Sequence, residues 1–502
     1  MADSASSQST GVSIPNAVEF GDGDEPPSLT PDKSRRHPAW ANVPETDWND
    51  WRWQSQHAIR HPKQLAGLLP LSEVETAAIE TLQATYKLAI PPYYFSLIDP
   101  FDPHDPIRLQ SLPAPEELAG AKGEDGEDDP LDEEKDSPVP GLTHRYPDRA
   151  LLVTTHVCTM YCRFCTRKRA TMKRGGWDSV SRDDHRMVEY IRNHHEIRDV
   201  ILSGGDPLTL PTEKLEFFVR SLNAIPHLDV IRIGTRVPVT LPQKLDDDEL
   251  LGVLSLSDKI WIQTHFNHPR EVTPEVKRGC DRIRLRGMPI NNHAVLLKGV
   301  NDSLATQKEL CRALLRIKVR PYYLFHCDPV TGAGHFRTPV WKGIEIIEGL
   351  RGHISGLGVP TYVVDAPRGG GKIPLSPNYL LSASNDSVVL RNYEGMIIHY
   401  HPTGEPPEAP SHVVTQGVSA LLEGQNEVLV PENTPRIARR RARATENGGG
   451  AATLPVPAAK KNGTRNGGNS HSVAEIRAAT NGKSKGQANG NGHEAAKEGS
   501  GN

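Results

Sequence analysis

Cysteine is scarce in this sequence, and long apolar runs are missing. Only 6 of the 502 residues are Cys, which excludes the disulfide framework of a small secreted protein. No apolar run approaches the ~20 residues that cross a bilayer, and the N-terminus lacks the basic and apolar parts of a signal peptide. We therefore expect a cytoplasmic protein that does not act on membranes.

Apolar residues are also few for a chain of this length. They make up 36% of the sequence, which indicates long unfolded flanks around a smaller core. Residues 1–38 are rich in Ser, Asp, Pro and Gly, and residues 436–502 are first basic and then rich in Gly and Asn. We expect both segments to be disordered and to contribute little to folding. The net charge of -4 offers no general attraction for nucleic acid, so none is expected as a partner.

Between these flanks the sequence predicts an α/β fold. Residues 39–142 have helical periodicity and include an acidic run, Glu124–Asp136, that we interpret as a solvated connector. Residues 143–358 alternate apolar, strand-like runs with charged helical stretches, and residues 359–435 form a further segment. The predicted strands begin at Leu151, Asp199, Val230, Ile260, Ile290, Arg320 and Thr361. Such repeats predict a parallel sheet curled into a full or partial (βα) barrel, with reactive side chains at the carboxyl ends of its strands.

Three of the cysteines, Cys158, Cys162 and Cys165, lie close together with the spacing C-x3-C-x2-C. A structural zinc site needs four ligands, and no fourth Cys or His stands at a finger-like spacing. A cubane iron–sulfur cluster that is held by three thiolates and keeps one iron open for chemistry fits the spacing better. The alternative, three unrelated buried thiols, does not account for the aromatic Phe164 before the last Cys.

A lysine follows three glycines, Gly369–Gly371, late in the chain. Glycines let the backbone approach a ligand closely, so Lys372 can be presented on a bare loop. A nucleotide-binding P-loop is a poor match because no Ser or Thr follows the lysine. A Schiff base with pyridoxal phosphate (PLP) is the alternative, since that chemistry needs an accessible amine.

Six segments can be read together: the cysteine loop, Ser203-Gly-Gly-Asp-Pro-Leu, Thr264-His-Phe-Asn-His-Pro, His335-Phe-Arg-Thr-Pro-Val, Gly343–Arg351 and Asp365–Pro374. Together they resemble the lysine 2,3-aminomutase family of radical S-adenosylmethionine (SAM) enzymes, from about Trp48 to Tyr400. The resemblance implies a partial barrel of the radical SAM type with a 4Fe-4S cluster, SAM and PLP as cofactors. It implies an isomerase that moves the α-amino group of L-lysine to the β carbon to give β-lysine. An electron donor such as a flavodoxin or ferredoxin, and a homo-oligomer, are also expected.

The resemblance also implies a role for individual residues. Cys158, Cys162 and Cys165 match the cluster ligands. Lys372 matches the lysine that binds PLP, and Arg145 and Arg149 match the arginines that hold its phosphate. The positions that match contacts to SAM are Ser203, Gly204, Gly205, Asp206, His265 and His293. The positions that match substrate contacts are Arg167 for the carboxylate, and Asp328 and Asp365 for the distal ammonium.

The sequence departs from clostridial members of the family at their zinc site. That site uses a C-terminal Cys cluster and one further Cys, whereas this chain has no Cys after Cys327 and has Ser303 at the other position, so we expect no zinc. Arginine also suits paired carboxylates, so an arginine 2,3-aminomutase is the alternative within the family. A non-catalytic iron–sulfur protein of electron transfer or regulation is the alternative outside it.

Overall fold

The structure is a computed structural model that describes residues 36–119, 126–174, 183–383, 387–401 and 435–446. The expected disorder of the termini concerns mainly residues 1–35 and 447–502, which lie outside the described residues. Among the helices that are described, none is long and apolar enough to cross a membrane.

A nine-stranded sheet forms the centre of the fold, and each strand pairs with the next one along the sequence. Its strands are β1 (Leu142–Tyr146), β2 (Arg149–Thr155), β3 (Asp199–Gly204), β4 (Val230–Gly234), β5 (Ile260–Thr264), β6 (Ile290–Leu296), β7 (Arg320–His326), β8 (Thr361–Ala366) and β9 (Gly371–Pro374). Strands β2 to β8 are parallel, and the two outer strands are antiparallel to their neighbours. The sheet therefore continues across residue 358, where the sequence suggested the end of the core.

The two outer strands meet, so the sheet curls into a nearly closed barrel. The backbone N–H of Lys372 on β9 donates to the Tyr146 hydroxyl on β1 at 2.8 Å. Parallel strands that are joined by helices place all their carboxyl ends at one rim, and the curl gathers these ends around a single mouth. The predicted α/β partial barrel is confirmed.

All seven predicted strands are present, and each begins within two residues of its predicted start. On β3, Val200 and Leu202 are fully buried, and on β4 the same holds for Ile231 and Ile233. These buried side chains alternate along each strand and therefore share one face, whereas Ile201 and Arg232 on the other face line the cavity. The apolar row on the buried face made these strands visible in the sequence.

Helices cover the outer face of the barrel. On one of them Leu215, Phe218, Val219 and Leu222 are fully buried, spaced so that they share one helical face. The helices are α1 (Glu45–Trp48), α2 (Trp51–Gln56), α3 (Glu73–Thr85), α4 (Pro92–Phe95), α5 (Pro106–Ser111), α6 (Glu116–Ala119), α7 (Lys168–Thr171), α8 (Asp184–Asn193), α9 (Thr212–Asn223), α10 (Val237–Thr240), α11 (Asp248–Leu254), α12 (Pro274–Leu285), α13 (Leu304–Arg316), α14 (Val340–Leu350) and α15 (Pro435–Glu446). A separate antiparallel sheet contains β10 (Leu380–Ala383), β11 (Val388–Arg391) and β12 (Ile397–Tyr400).

Two sequence-based expectations about charged segments are wrong for the described residues. The acidic run is not a solvated connector, because Asp136 and Glu133 have side chains only 0% and 12% exposed and pair with arginines. The tail is not disordered from residue 436, because Pro435–Glu446 forms α15 and its Arg440 pairs with Asp136. The acidic run supplies carboxylates that pair with arginines of the barrel, and α15 supplies an arginine that pairs with the acidic run. Composition alone does not reveal these pairs.

A buried ion cluster ties the thiol loop, residues 156–169, to the N-terminal helices. Glu117 on α6 is fully buried and accepts hydrogen bonds from Arg163 Nη2 and Lys168 Nζ, both at 2.7 Å. Both cations belong to the thiol loop, so one carboxylate from outside the barrel compensates two buried charges. The position of the loop therefore depends on Glu117.

We predict that Glu117→Ala lowers the free energy of unfolding by about 3–5 kcal/mol, because it leaves two buried cations without their partner. Glu116→Ala is the matched control, since Glu116 is the exposed neighbour and its loss should change stability by less than about 0.5 kcal/mol. Urea unfolding of both variants measures the difference. Equal stability of the two variants would contradict the role of Glu117.

Candidate active site

One cavity of about 350 Å³ opens at the mouth of the barrel. It is lined by residues that follow the carboxyl ends of the parallel strands, as the fold requires. Nearly all of the predicted site residues line it: Cys158, Cys162, Cys165, Arg167, Ser203, Gly204, Gly205, Asp206, His265, His293, Asp328, Asp365 and Lys372. Arg145 and Arg149 are not among the lining residues.

The three thiols of the loop after β2 share one end of the cavity. Burial raises the pKa of Cys158 and Cys165, so these thiols remain protonated unless a cation replaces the proton. Arg236 Nη1 donates a hydrogen bond to Cys162 Sγ at 2.8 Å. Within the described ranges, no three His, Cys, Asp or Glu side chains are arranged to hold a single metal ion. All three thiols line the cavity, and a cubane cluster can use them together because its thiolate ligands bind different iron atoms.

The glycines after β3 bring that loop against the thiol loop. A Cβ at Gly204, whose φ is +120°, would lie 2.3 Å from the Thr155 carbonyl oxygen, and one at Gly205 would lie 2.3 Å from that of Val157. Only glycine permits such an approach. Asp206 accepts hydrogen bonds from Thr235 Oγ1 and the Arg236 N–H, both at 2.7 Å, so its carboxylate fastens this loop to the one after β4.

Two histidines face the cavity from β6 and from the end of β5. Burial and the nearby Arg236 hold the pKa of His265 well below its usual range. Burial and the charge of Lys372 lower the pKa of His293 to about 4. Both rings are therefore neutral near pH 7 and can accept as well as donate hydrogen bonds. His265 also stacks on Phe164 of the thiol loop, with ring centroids 5.5 Å apart.

A second group of charged residues lines the same cavity: Lys372, Asp328 and Asp365. Strands β8 and β9 pair Asp365 directly with Lys372, and Lys372 Nζ lies 3.0 Å from Asp365 Oδ2. The other oxygen of Asp365, Oδ1, is buried without a hydrogen-bond partner. Asp328 follows β7 and accepts from Thr166 Oγ1 at 2.6 Å, while burial raises its pKa to about 6. A cation can bind here, because acceptor capacity remains at both carboxylates.

Arg167 lines the same cavity and stands immediately before α7. Its guanidinium pairs with Glu133, with Nη2 2.6 Å from Oε1, and its Nη1 donates to Ser203 Oγ at 3.2 Å. Burial alone would raise the pKa of Glu133, but the charge of Arg167 lowers it below its usual range. The pair is therefore ionised, and it fixes the direction in which Arg167 points.

The two arginines that the resemblance assigns to phosphate lie on the first two strands. Arg145 on β1 donates from Nε to Asp136 at 2.8 Å and from Nη2 to the Leu131 carbonyl. Arg149 starts β2, donates from Nε to Asp148 at 2.9 Å and lies over the ring of Tyr146. Their phosphate role stays a prediction.

The sequence-based predictions missed Glu133 and Arg236. Arg236 follows the carboxyl end of β4, and the rule that reactive residues follow barrel strands could have indicated it. No comparable signal exists for Glu133, because its segment is acidic throughout and belongs to no strand.

Comparisons with known proteins agree with the geometry. A family model described as Lysine-2,3-aminomutase matches residues 347–453, and one described as Radical SAM superfamily matches residues 152–306. The L-lysine 2,3-aminomutase of Clostridium subterminale is 47% identical over 414 residues, which cover 81% of this chain and 99% of that protein. That of Bacillus subtilis is 45% identical over 82% of this chain and 90% of its own length. The Glutamate 2,3-aminomutase of Clostridioides difficile is 43% identical over 71% and 83%. The chain therefore belongs to the lysine 2,3-aminomutase family of radical SAM isomerases.

Proposed function

We propose that this enzyme converts L-lysine to β-lysine by moving the α-amino group to the β carbon, with a 4Fe-4S cluster, SAM and PLP as cofactors. The observation that carries the proposal is the cavity itself, whose lining brings the three thiols together with Lys372 and two aspartates. The names of the relatives support the reaction, and one relative is named for glutamate, so substrate choice is argued from the site.

The thiol end of the cavity fits the cluster and SAM. Cys158, Cys162 and Cys165 would hold the cluster, and the segment Ser203–Asp206 with the neutral rings of His265 and His293 would contact SAM. When bound, the cluster and SAM supply one-electron hydrogen abstraction, and PLP carries the migrating amino group. Phe164, stacked on His265, excludes water from this end of the cavity.

Lys372 and the charged residues around it fit PLP and a cationic amino acid. Lys372 would bind PLP, with Arg145 and Arg149 toward its phosphate, and its Nζ lies 5.5 Å from the centroid of the Phe325 ring. Arg167, held by Glu133 and Ser203, is oriented to receive the substrate carboxylate. The distal ammonium would bind Asp328 and Asp365, since two carboxylates in one cavity, one of them buried, stabilise a cation and repel the side-chain carboxylate of glutamate.

The remaining features of the proposal concern partners. Reduction of the cluster requires an electron donor such as a flavodoxin or ferredoxin, and we propose a cytoplasmic homo-oligomer that binds no zinc. We assign none of the residues at the barrel mouth to a zinc site. Metal analysis of an active, chelator-washed preparation tests whether zinc is bound.

Product analysis tests the proposed function. The reconstituted and anaerobically reduced protein is incubated with SAM, PLP and equal concentrations of lysine, arginine and glutamate, and the amino acids are separated by chromatography with mass detection. We expect β-lysine as the main product. A β-arginine product would assign the chain to the sibling reaction, and no rearranged product from a protein with full iron and PLP would make it non-catalytic.

We predict that Cys158→Ala removes bound iron and abolishes reductive cleavage of SAM, because three protein ligands are needed to hold a cubane with one open iron. Cys280→Ala is the matched control, since Cys280 is buried on α12, away from the thiol loop. Iron content and SAM cleavage are measured for both. Unchanged iron binding and SAM cleavage by Cys158→Ala would refute the cluster assignment.

We predict that kcat/KM for lysine falls as the pH drops through about 6, because Asp328 must be ionised to bind an ammonium and its pKa in the free enzyme is about 6. Asp328→Asn should lower kcat/KM at pH 8 by about two to four orders of magnitude and should remove this acidic limb. Iron content and PLP absorbance should not change in that variant. An unaltered pH profile in Asp328→Asn would exclude Asp328 as the titrating group.

A further inference from the structure

Helix α15 lies against the loop that carries Lys372. Arg436 Nη1 donates to the carbonyl oxygen of Gly369, the first glycine of that loop. Arg440, one turn further along, donates from Nε and Nη2 to the two oxygens of Asp136, at 2.7 and 2.8 Å. A segment that sequence composition marks as a basic tail thus makes directed contacts three residues from Lys372.

Asp136 connects this helix to the barrel. Its side chain is fully buried, and it also accepts a hydrogen bond from Arg145 Nε on β1 at 2.8 Å. Burial alone would raise the pKa of Asp136, but hydrogen bonds from Arg440 and Arg145 lower it below its usual range. One ionised carboxylate therefore joins the first strand of the barrel to the last described helix.

The loop between β8 and β9 needs such contacts because its backbone is strained. Arg368 has a φ of +60°, an unfavourable conformation for a residue with a side chain, and Gly369 follows at +74°. A Cβ at Gly369 would lie 2.6 Å from Arg440 Nη2, so the guanidinium of Arg440 lies directly against this glycine. On the other side, the Arg368 N–H donates to the Pro130 carbonyl at 3.1 Å. The acidic segment and α15 thus hold the turn from two sides.

We propose that Arg436 and Arg440 are positioning residues, which hold the turn at residues 368–371 so that Lys372 faces Asp365 and the cofactor. The inference rests on the proposed function in one respect, that PLP is the ligand of Lys372. It extends the wall of the active site to α15 and assigns a role to the first residues of the tail. Residues after 451 lie outside the compact unit that contains α15, and we expect PLP binding not to depend on them.

The test uses the full chain with Arg440→Gln, and with Arg443→Gln as the matched control. Arg443 lies on the same helix, but its charge acts on Tyr190. We expect Arg440→Gln to weaken PLP binding about 10- to 100-fold, as the loss of a charged, two-point hydrogen bond should. Borohydride trapping of PLP on Lys372 should decrease, and hydrogen exchange of residues 366–373 should accelerate. Arg440→Lys should recover part of the affinity, and iron content should stay at the wild-type value in all variants.

Two truncated chains provide a second test. A chain that ends at residue 451 should bind PLP as the full chain does, and one that ends at residue 434 should behave like Arg440→Gln. The inference is overturned if the wild type traps PLP on Lys372 and Arg440→Gln traps it with equal affinity. It is also overturned if Arg443→Gln weakens PLP binding as much as Arg440→Gln. If the wild type itself traps no PLP, the proposed function fails instead, so the two failures are distinguishable.

Discussion

Charge compensation at the mouth of the barrel is the constraint on which the rest of the site depends. An ionised group that is buried without a partner costs several kcal/mol, so every charge placed near the cavity requires a counter-charge from elsewhere in the chain. Glu133 compensates Arg167, Asp136 compensates Arg145 and Arg440, and Asp365 compensates Lys372. The acidic segment therefore belongs to the active site, although no strand or helix of the barrel carries it.

The order of the strands explains why the three thiols and Lys372 line one cavity. The thiol loop follows the first parallel strand and Lys372 stands on the last strand, more than 200 positions later in the sequence. A flat sheet would place them at opposite edges. Because the sheet curls until Tyr146 of β1 meets Lys372 of β9, both lie at one mouth. The carboxylates to which we assign the substrate ammonium, Asp328 after β7 and Asp365 on β8, lie close to this lysine.

Much of this site could be predicted from the sequence, because short motifs carry their own geometry. Three cysteines within eight residues stay close together in any fold, and three glycines before a lysine favour a turn that presents its side chain. Glu133 and α15 could not be predicted in the same way. Their composition, acidic in one case and arginine-rich in the other, is that of solvated segments, and only a partner distant in sequence makes them structural.

The sequence by itself determined the strands, the barrel class and the residue types of the reactive groups, because buried apolar faces and closely spaced functional groups leave local patterns. Only the tertiary structure decided which charges meet. The pairing of Asp365 with Lys372 depends on the register of β8 against β9, and that of Asp136 with Arg440 joins residues 304 positions apart. Such pairings follow from the close approach of distant segments in a closed barrel, and no local pattern records them.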